Sequence, residues 1–112
     1  MSYKVVILPH FRRQFKLHIR KYRHLKKSVI EALENFNKNS HASLGNNLYK
    51  VRIKSDDLRK GKSKSFRLII LLIEKDGFLI PIMIYFKGDR DNIAKKELNE
   101  HLELILFELH RS

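Results

Sequence analysis

The chain contains no cysteine. Neither a disulfide framework nor a cysteine-ligated zinc site can be built from it, thiol redox chemistry is excluded, and a reducing compartment is compatible with the composition. Long apolar runs are missing as well. The longest, Leu68 to Ile73, is far short of the roughly 20 residues that cross a bilayer, and the amino terminus lacks the apolar core of a signal peptide. The expectation is a cytoplasmic protein with no membrane partner. Acidic residues are scarce, 12 Asp and Glu against 24 Lys and Arg, for a net charge of +12. Familiar chemical motifs are also absent. Gly61-Lys62-Ser63 resembles the end of a phosphate-binding loop, but Asp56 stands where the earlier glycine is required and a strand rather than a helix follows. The six histidines show no ligand pairing at helical spacing, so no metal site is read, and no Ser-His-Asp arrangement is suggested.

What is present is a concentration of cations on apolar structure. Leu48 to Lys87 comprises a basic strand (LYKVRIK), a charged turn (SDDLRKGKSKS) and two apolar strands, FRLIILLIEK and FLIPIMIYFK. From Lys50 to Arg67 eight cations face only Asp56 and Asp57, and from Lys4 to Lys27 nine Lys or Arg stand without an acid. Self-repulsion of this kind in a small chain is relieved by an anionic partner, and nucleic acid is the expected one. The 43% hydrophobic content is enough core material for a single domain spanning residues 1–112.

Periodicity supplies the elements. Tyr3 to Leu8 is short and β-branched, suiting a strand, and Pro9 fits the first turn of a helix. Phe11, Phe15, Ile19 and Tyr22 form one apolar stripe, and Leu25, Val29, Leu33 and Phe36 continue it. A straight helix over both would be about 45 Å long, so a helical hairpin bent near Arg23 is expected. Residues 37–47 read as a turn segment. In LYKVRIK, Tyr49, Val51 and Ile53 alternate with Lys50, Arg52 and Lys54, which places the three cations on one face. Asp76-Gly77 predicts a two-residue hairpin between the apolar strands, and Pro81 predicts a free edge or a bulge. Asp91 to His110 reads as a final helix with Leu98, Leu102, Ile105 and Leu109 as its stripe, widened by Leu104, Leu106 and Phe107. The expected fold is α+β, a small antiparallel sheet of about four strands packed against an N-terminal helical hairpin, with a C-terminal helix.

The order of these elements, together with LGNNLYKVRIK, GKSKSFRLI and IYFKGDRDNI, resembles the RelE/ParE toxin superfamily, particularly its HigB-like branch, over nearly the whole chain. The resemblance implies the toxin of a type II toxin-antitoxin pair, a ribosome-dependent endoribonuclease that arrests growth by cutting messenger RNA through attack of the RNA's own 2′-hydroxyl. Lys and Arg take the place of the usual histidine pair, and no cofactor or metal is needed. The implied partners are a cognate antitoxin, messenger RNA on the ribosome, and operator DNA reached through the antitoxin in a hetero-oligomer.

Carried over by position, the implied catalytic residues are Lys50, Arg52, Lys54, Arg67 and Lys87, with Arg67 stabilising the phosphate in the transition state. Lys62, Lys64, Tyr85, Arg90 and Lys95 are the expected RNA contacts, with Lys62 and Lys64 alternatively loop charges and Tyr85 equally a core residue. Gly88 and Ala94 stand where RelE has a second arginine and a tyrosine, which leaves the general acid unassigned. The plain alternative for Lys50, Arg52 and Lys54 is the solvated face of an outer strand. Arg67 fits that alternative less well, since a charge inside an apolar strand is costly to desolvate without a purpose. Two other functions stay open on the same scaffold: a ParE-type DNA gyrase inhibitor without nuclease activity, and a non-enzymatic module that binds RNA or DNA.

Overall fold

The computed structural model describes residues 3–53, 65–89 and 92–111. After a two-residue strand β1 (Lys4–Val5), helix α1 (Pro9–Lys21) starts with its proline in the first turn and ends with His18, Arg20 and Lys21 near its negative dipole end. The chain bends at residues 22–24 and resumes as α2 (Leu25–Glu34). The expected helical hairpin is therefore present. Phe11, Leu25, Val29, Leu33 and Phe36 are buried along the predicted stripe.

The sheet has five strands in the order β1-β5-β4-β3-β2, one more than the sequence suggested. The addition is β2 (Ala42–Gly45), an exposed edge strand within the segment read as a turn. It folds back onto β3 (Leu48–Ile53) through Gly45, Asn46 and Asn47, which have φ of 84°, 53° and 63°. Glycine and asparagine are the residues that take such left-handed angles at least cost. Strands β4 (Phe66–Ile73) and β5 (Phe78–Phe86) are buried almost throughout. Their connection is a four-residue turn, Glu74 to Gly77, rather than the expected two-residue one. Ile73 pairs with Phe78, and Gly77, at φ 70°, donates its N–H to the Glu74 carbonyl.

Pro81 resolves to a bulge. The β4–β5 register passes from Ile69–Met83 to Ile70–Pro81, leaving Ile82 as the extra residue. The other side of β5 is bonded by β1, in parallel, only as far as Val6. Beyond it Gln14 of α1 takes over. Its Nε2 donates to the Ile82 carbonyl at 3.1 Å and its Oε1 accepts from the Ile84 N–H at 3.3 Å, so a side-chain amide continues the pairing a longer strand would have made.

Alternation divides the sheet into two faces. One carries Tyr49, Phe66 and Phe86 and lies under the helical hairpin, with Tyr22 and His18 edge-on to Phe66 and Phe36 edge-on to Tyr49. The opposite face carries Leu48, Lys50, Arg52, Arg67, Ile69, Met83 and Tyr85. Helix α3 (Lys95–Arg111) borders that face at Leu48 and Lys50 through Leu98 and Asn99. It begins four residues later than expected, residues 92–94 being non-helical. Leu98 and Ile105 are buried and Leu102 and Leu109 half-buried, whereas Leu104 and Phe107 are 49% and 59% exposed rather than part of a widened core stripe.

Two imidazoles that sequence spacing had left dispersed meet where α3 packs on α1. His10 Nε2 lies 2.7 Å from His101 Nδ1 in a hydrogen bond, the His10 backbone N–H donates to Glu108, and Arg13 approaches the same carboxylate at 3.7 Å. Among the described residues no three His, Asp or Glu side chains converge as a metal site.

Candidate functional site

Strand register assembles the cations. Lys50 and Arg52 are two residues apart on β3 and share a face, Arg52 is paired with Arg67 on β4, and Arg67 is paired with Tyr85 on β5. Arg52, Arg67 and Tyr85 thus form a row across three adjacent strands. The row differs in depth. Arg52 is exposed, while Arg67 and Tyr85 each retain only 5% of their accessible surface.

Arg67 is the unusual member. Its guanidinium donates to Ser65 Oγ, a hydroxyl that is itself buried. Burial, and then the positive charge of Arg52, hold its pKa below the ordinary arginine value, with Tyr85 opposing. An arginine stays protonated at any physiological pH, so this direction measures an unrelieved charge more than a proton about to leave. A buried cation crowded by a second cation gains most from an anion placed between them.

Ser65 has a second role. Its carbonyl accepts the Lys87 N–H at 3.0 Å, extending the β4–β5 ladder by one pair and setting half-buried Lys87 on the same face as Tyr85. Along the strand direction the row of Arg52, Arg67 and Tyr85 therefore lies between Lys50 on one side and Lys87 on the other. Lys95, at the start of α3, lines the same cavity as Lys50. The structure thus brings Lys50, Arg52, Arg67, Tyr85 and Lys87 together on one face, with Lys95 across from Lys50. Lys54, Lys62, Lys64 and Arg90 lie outside the described residues.

Sequence reasoning passed over Ser65. Its signal was the two-residue spacing to Arg67, which puts both side chains on one face of a strand, but a serine in a basic turn reads first as turn chemistry. The arrangement as a whole offers two guanidiniums for a phosphate, ammonium groups on either side of it, and a phenol at the inner end of the row.

Comparison with known proteins bears on the scaffold. A family model described as the RelE toxin of the RelE / RelB toxin-antitoxin system matches residues 10–107. Among solved structures, the free E. coli toxin RelE, as a double arginine-to-alanine mutant, is 21% identical with a TM-score of 0.50, covering 81% of this chain and 90% of that one. The intact E. coli RelBE toxin-antitoxin complex is 20% identical with a TM-score of 0.49, covering 74% of this chain and 94% of that one. No curated protein matches. The solved toxin has the same fold, and with a family model running from α1 to the last turns of α3, the chain belongs to the RelE toxin family.

Proposed function

We propose that the protein is an endoribonuclease that cuts messenger RNA on the ribosome, acting in the cytoplasm as a single domain, and that the face carrying Arg67 is its active site. The observation that carries this reading is the buried Arg67 guanidinium, held by Ser65 and opposed by Arg52, with lysines on either side. In the reaction the RNA 2′-hydroxyl attacks the neighbouring phosphorus. A 2′-oxygen to phosphorus bond forms, the phosphorus to 5′-oxygen bond breaks, a base removes the 2′ proton, and an acid protonates the departing 5′-oxygen. A 2′,3′-cyclic phosphate and a 5′-hydroxyl result.

Arg52 and Arg67 would hold the phosphate and the extra negative charge that develops on it, the effect with most influence in such sites. In-line displacement needs the proton acceptor and donor on opposite sides of phosphorus, and Lys50 and Lys87 flank the arginine row in that sense. Lys95 extends the positive field along which the RNA backbone would lie, and Lys54, Lys62, Lys64 and Arg90, outside the described residues, are proposed as further contacts from the sequence alone. Tyr85, at 5% exposure, would meet the substrate at the floor of the site rather than as an open stacking platform.

The partner in this proposal is a small antitoxin, as the family's description names a toxin-antitoxin system. Its acidic groups would cover the cations and its apolar groups would cover exposed surface such as Leu104 and Phe107. Operator DNA would be reached through that partner.

Purified protein added to a translation reaction with one defined message tests the reading. Fragments ending in a 2′,3′-cyclic phosphate are expected from the translated message, with little cutting of the same RNA free of ribosomes. A translated message that stays intact would refute it.

A further inference from the structure

A cavity of about 390 Å³ opens between the β2–β3 turn and the first turn of α3, next to the arginine row. Lys50 stands at its boundary with that row, and of its lining the reading proposed above uses only Lys50 and Lys95. Leu48, Ile93 and Leu98 give it apolar walls, and Asn46, Asn92 and Asn99 line it from three separate segments. None of the described residues that line it is acidic.

This combination selects a chemical class. A carboxamide presents a donor and an acceptor in one plane, which is the pattern on the edge of a nucleobase. Apolar walls accept the flat face of a base, and the flanking Lys50 and Lys95 suit the phosphates on either side of it. An acidic peptide would satisfy the two cations and pair with the carboxamides through its backbone amides, but offers no flat apolar face to the walls. Asn46 sits within three successive residues of positive φ, a tight turn at the edge of the cavity. Lys50 and Arg52 are two strand residues apart, roughly 7 Å, so an occupant beside Lys50 neighbours whatever Arg52 and Arg67 hold.

We infer that this cavity receives the unstacked base of a nucleotide adjacent to the scissile phosphate, and that Asn46 and Asn99 read its edge and set the base preference of cleavage. The inference rests on the proposed RNA cleavage and adds to it a specificity subsite.

Two variants test it. Asn99→Leu keeps side-chain size at an exposed helical position, and Asn46→Gly keeps the left-handed backbone while removing the carboxamide. Cut sites are mapped on a translated message pool for each variant and normalised to total cutting. The preference for one base at a fixed position from the cut should fall about tenfold in at least one variant, the scale of one lost base-edge pairing. A wild-type cut-site distribution in both variants would overturn the inference while leaving RNA cleavage standing. Failure of the unaltered protein to cut any RNA would overturn both.

A second measurement does not depend on the variants' folding. The unaltered protein is titrated with the four nucleoside 5′-monophosphates, ribose 5-phosphate and an acidic peptide while the Asn46 and Asn99 side-chain amide resonances are followed. Shifts that depend on the base are expected. Shifts of equal size with ribose 5-phosphate, or with the peptide, would overturn the inference by reducing the cavity to a site for anions.

Discussion

Arg67 concentrates the argument into one side chain. It is a charge in the middle layer of a sheet, buried beside a second arginine and oriented by a serine hydroxyl. If it stabilises the phosphate in the transition state, Arg67→Ala should lower cleavage about a hundredfold or more, since one such donor accounts for ~3 kcal/mol. The variant should keep its circular dichroism spectrum, and Arg67→Lys should recover little, because a point charge does not reproduce the planar fork. A folded Arg67→Ala protein with undiminished cleavage would remove the residue from the mechanism. Ser65 is a positioning residue by the same logic. Ser65→Ala should reduce kcat about tenfold with KM little changed, the scale of one hydrogen bond to a charged group at ~1.5 kcal/mol. Ser65→Thr should restore most of that loss, and in an Arg67→Ala background Ser65→Ala should add nothing. Additive losses would show that Ser65 does not act through Arg67. Arg67 was legible in the sequence as a charge inside FRLIILLI. Ser65 was not, because its partner became visible only once Arg67 was known to turn back along its own strand.

At the scale of elements, local signals fixed the helices and the strand alternation but not the joints. The stripes of α1 and α2 and the cation face of β3 follow from periods of 3.6 and 2, which survive any tertiary context. The Asp76-Gly77 pair did mark a turn, yet the strands on either side set its length by their own register. Strand β2 was hidden because its residues are all exposed, so no alternation of apolar positions announces it. Gln14 shows a tertiary contact that no period encodes. Gln14→Leu should strand the Ile82 carbonyl and the Ile84 N–H and cost about 1–3 kcal/mol in urea unfolding. A change within a few tenths would show that the two groups find other partners.

The packing of α3 on α1 should respond to acid. His10 is held below the ordinary histidine value of 6.5 by burial first, then by His101, with Glu108 opposing and Arg13 adding to the shift. His18 and His41 are lowered in the same direction, both chiefly by burial. Around the imidazole pair, charged groups among the described residues include Glu108 and Glu97 of α3 and Arg13 of α1. Because the folded state binds these protons less readily than the unfolded chain, the stability linked to them is full above the unfolded value near 6.5. It declines as pH falls through the lowered folded values and then levels off. Tm should therefore drop between pH 7.5 and pH 5, and His10→Gln should flatten part of that slope. A slope unaltered by His10→Gln would place the acid sensitivity elsewhere.

Taken whole, the molecule sets a +12 charge on a core of ordinary packing. Such an excess suits a polyanion, and among the described residues Arg67, a buried cation, faces the side of the sheet that the helical hairpin leaves uncovered. Composition set the charge expected of a partner, and alternation set which strand face carries the cations. The order of strands, which sets Arg52, Arg67 and Tyr85 in one row, is a matter of long-range pairing and had to be seen in the fold. Whether this face cuts messenger RNA is decided by expressing the protein without a partner in growing cells and mapping messenger RNA ends across the transcriptome, beside the folded Arg67→Ala variant and an assay of chromosomal breakage. Growth arrest is expected, with new ends inside translated reading frames that are nearly absent in the variant, and intact DNA. Growth arrest with intact messages and broken DNA would contradict it.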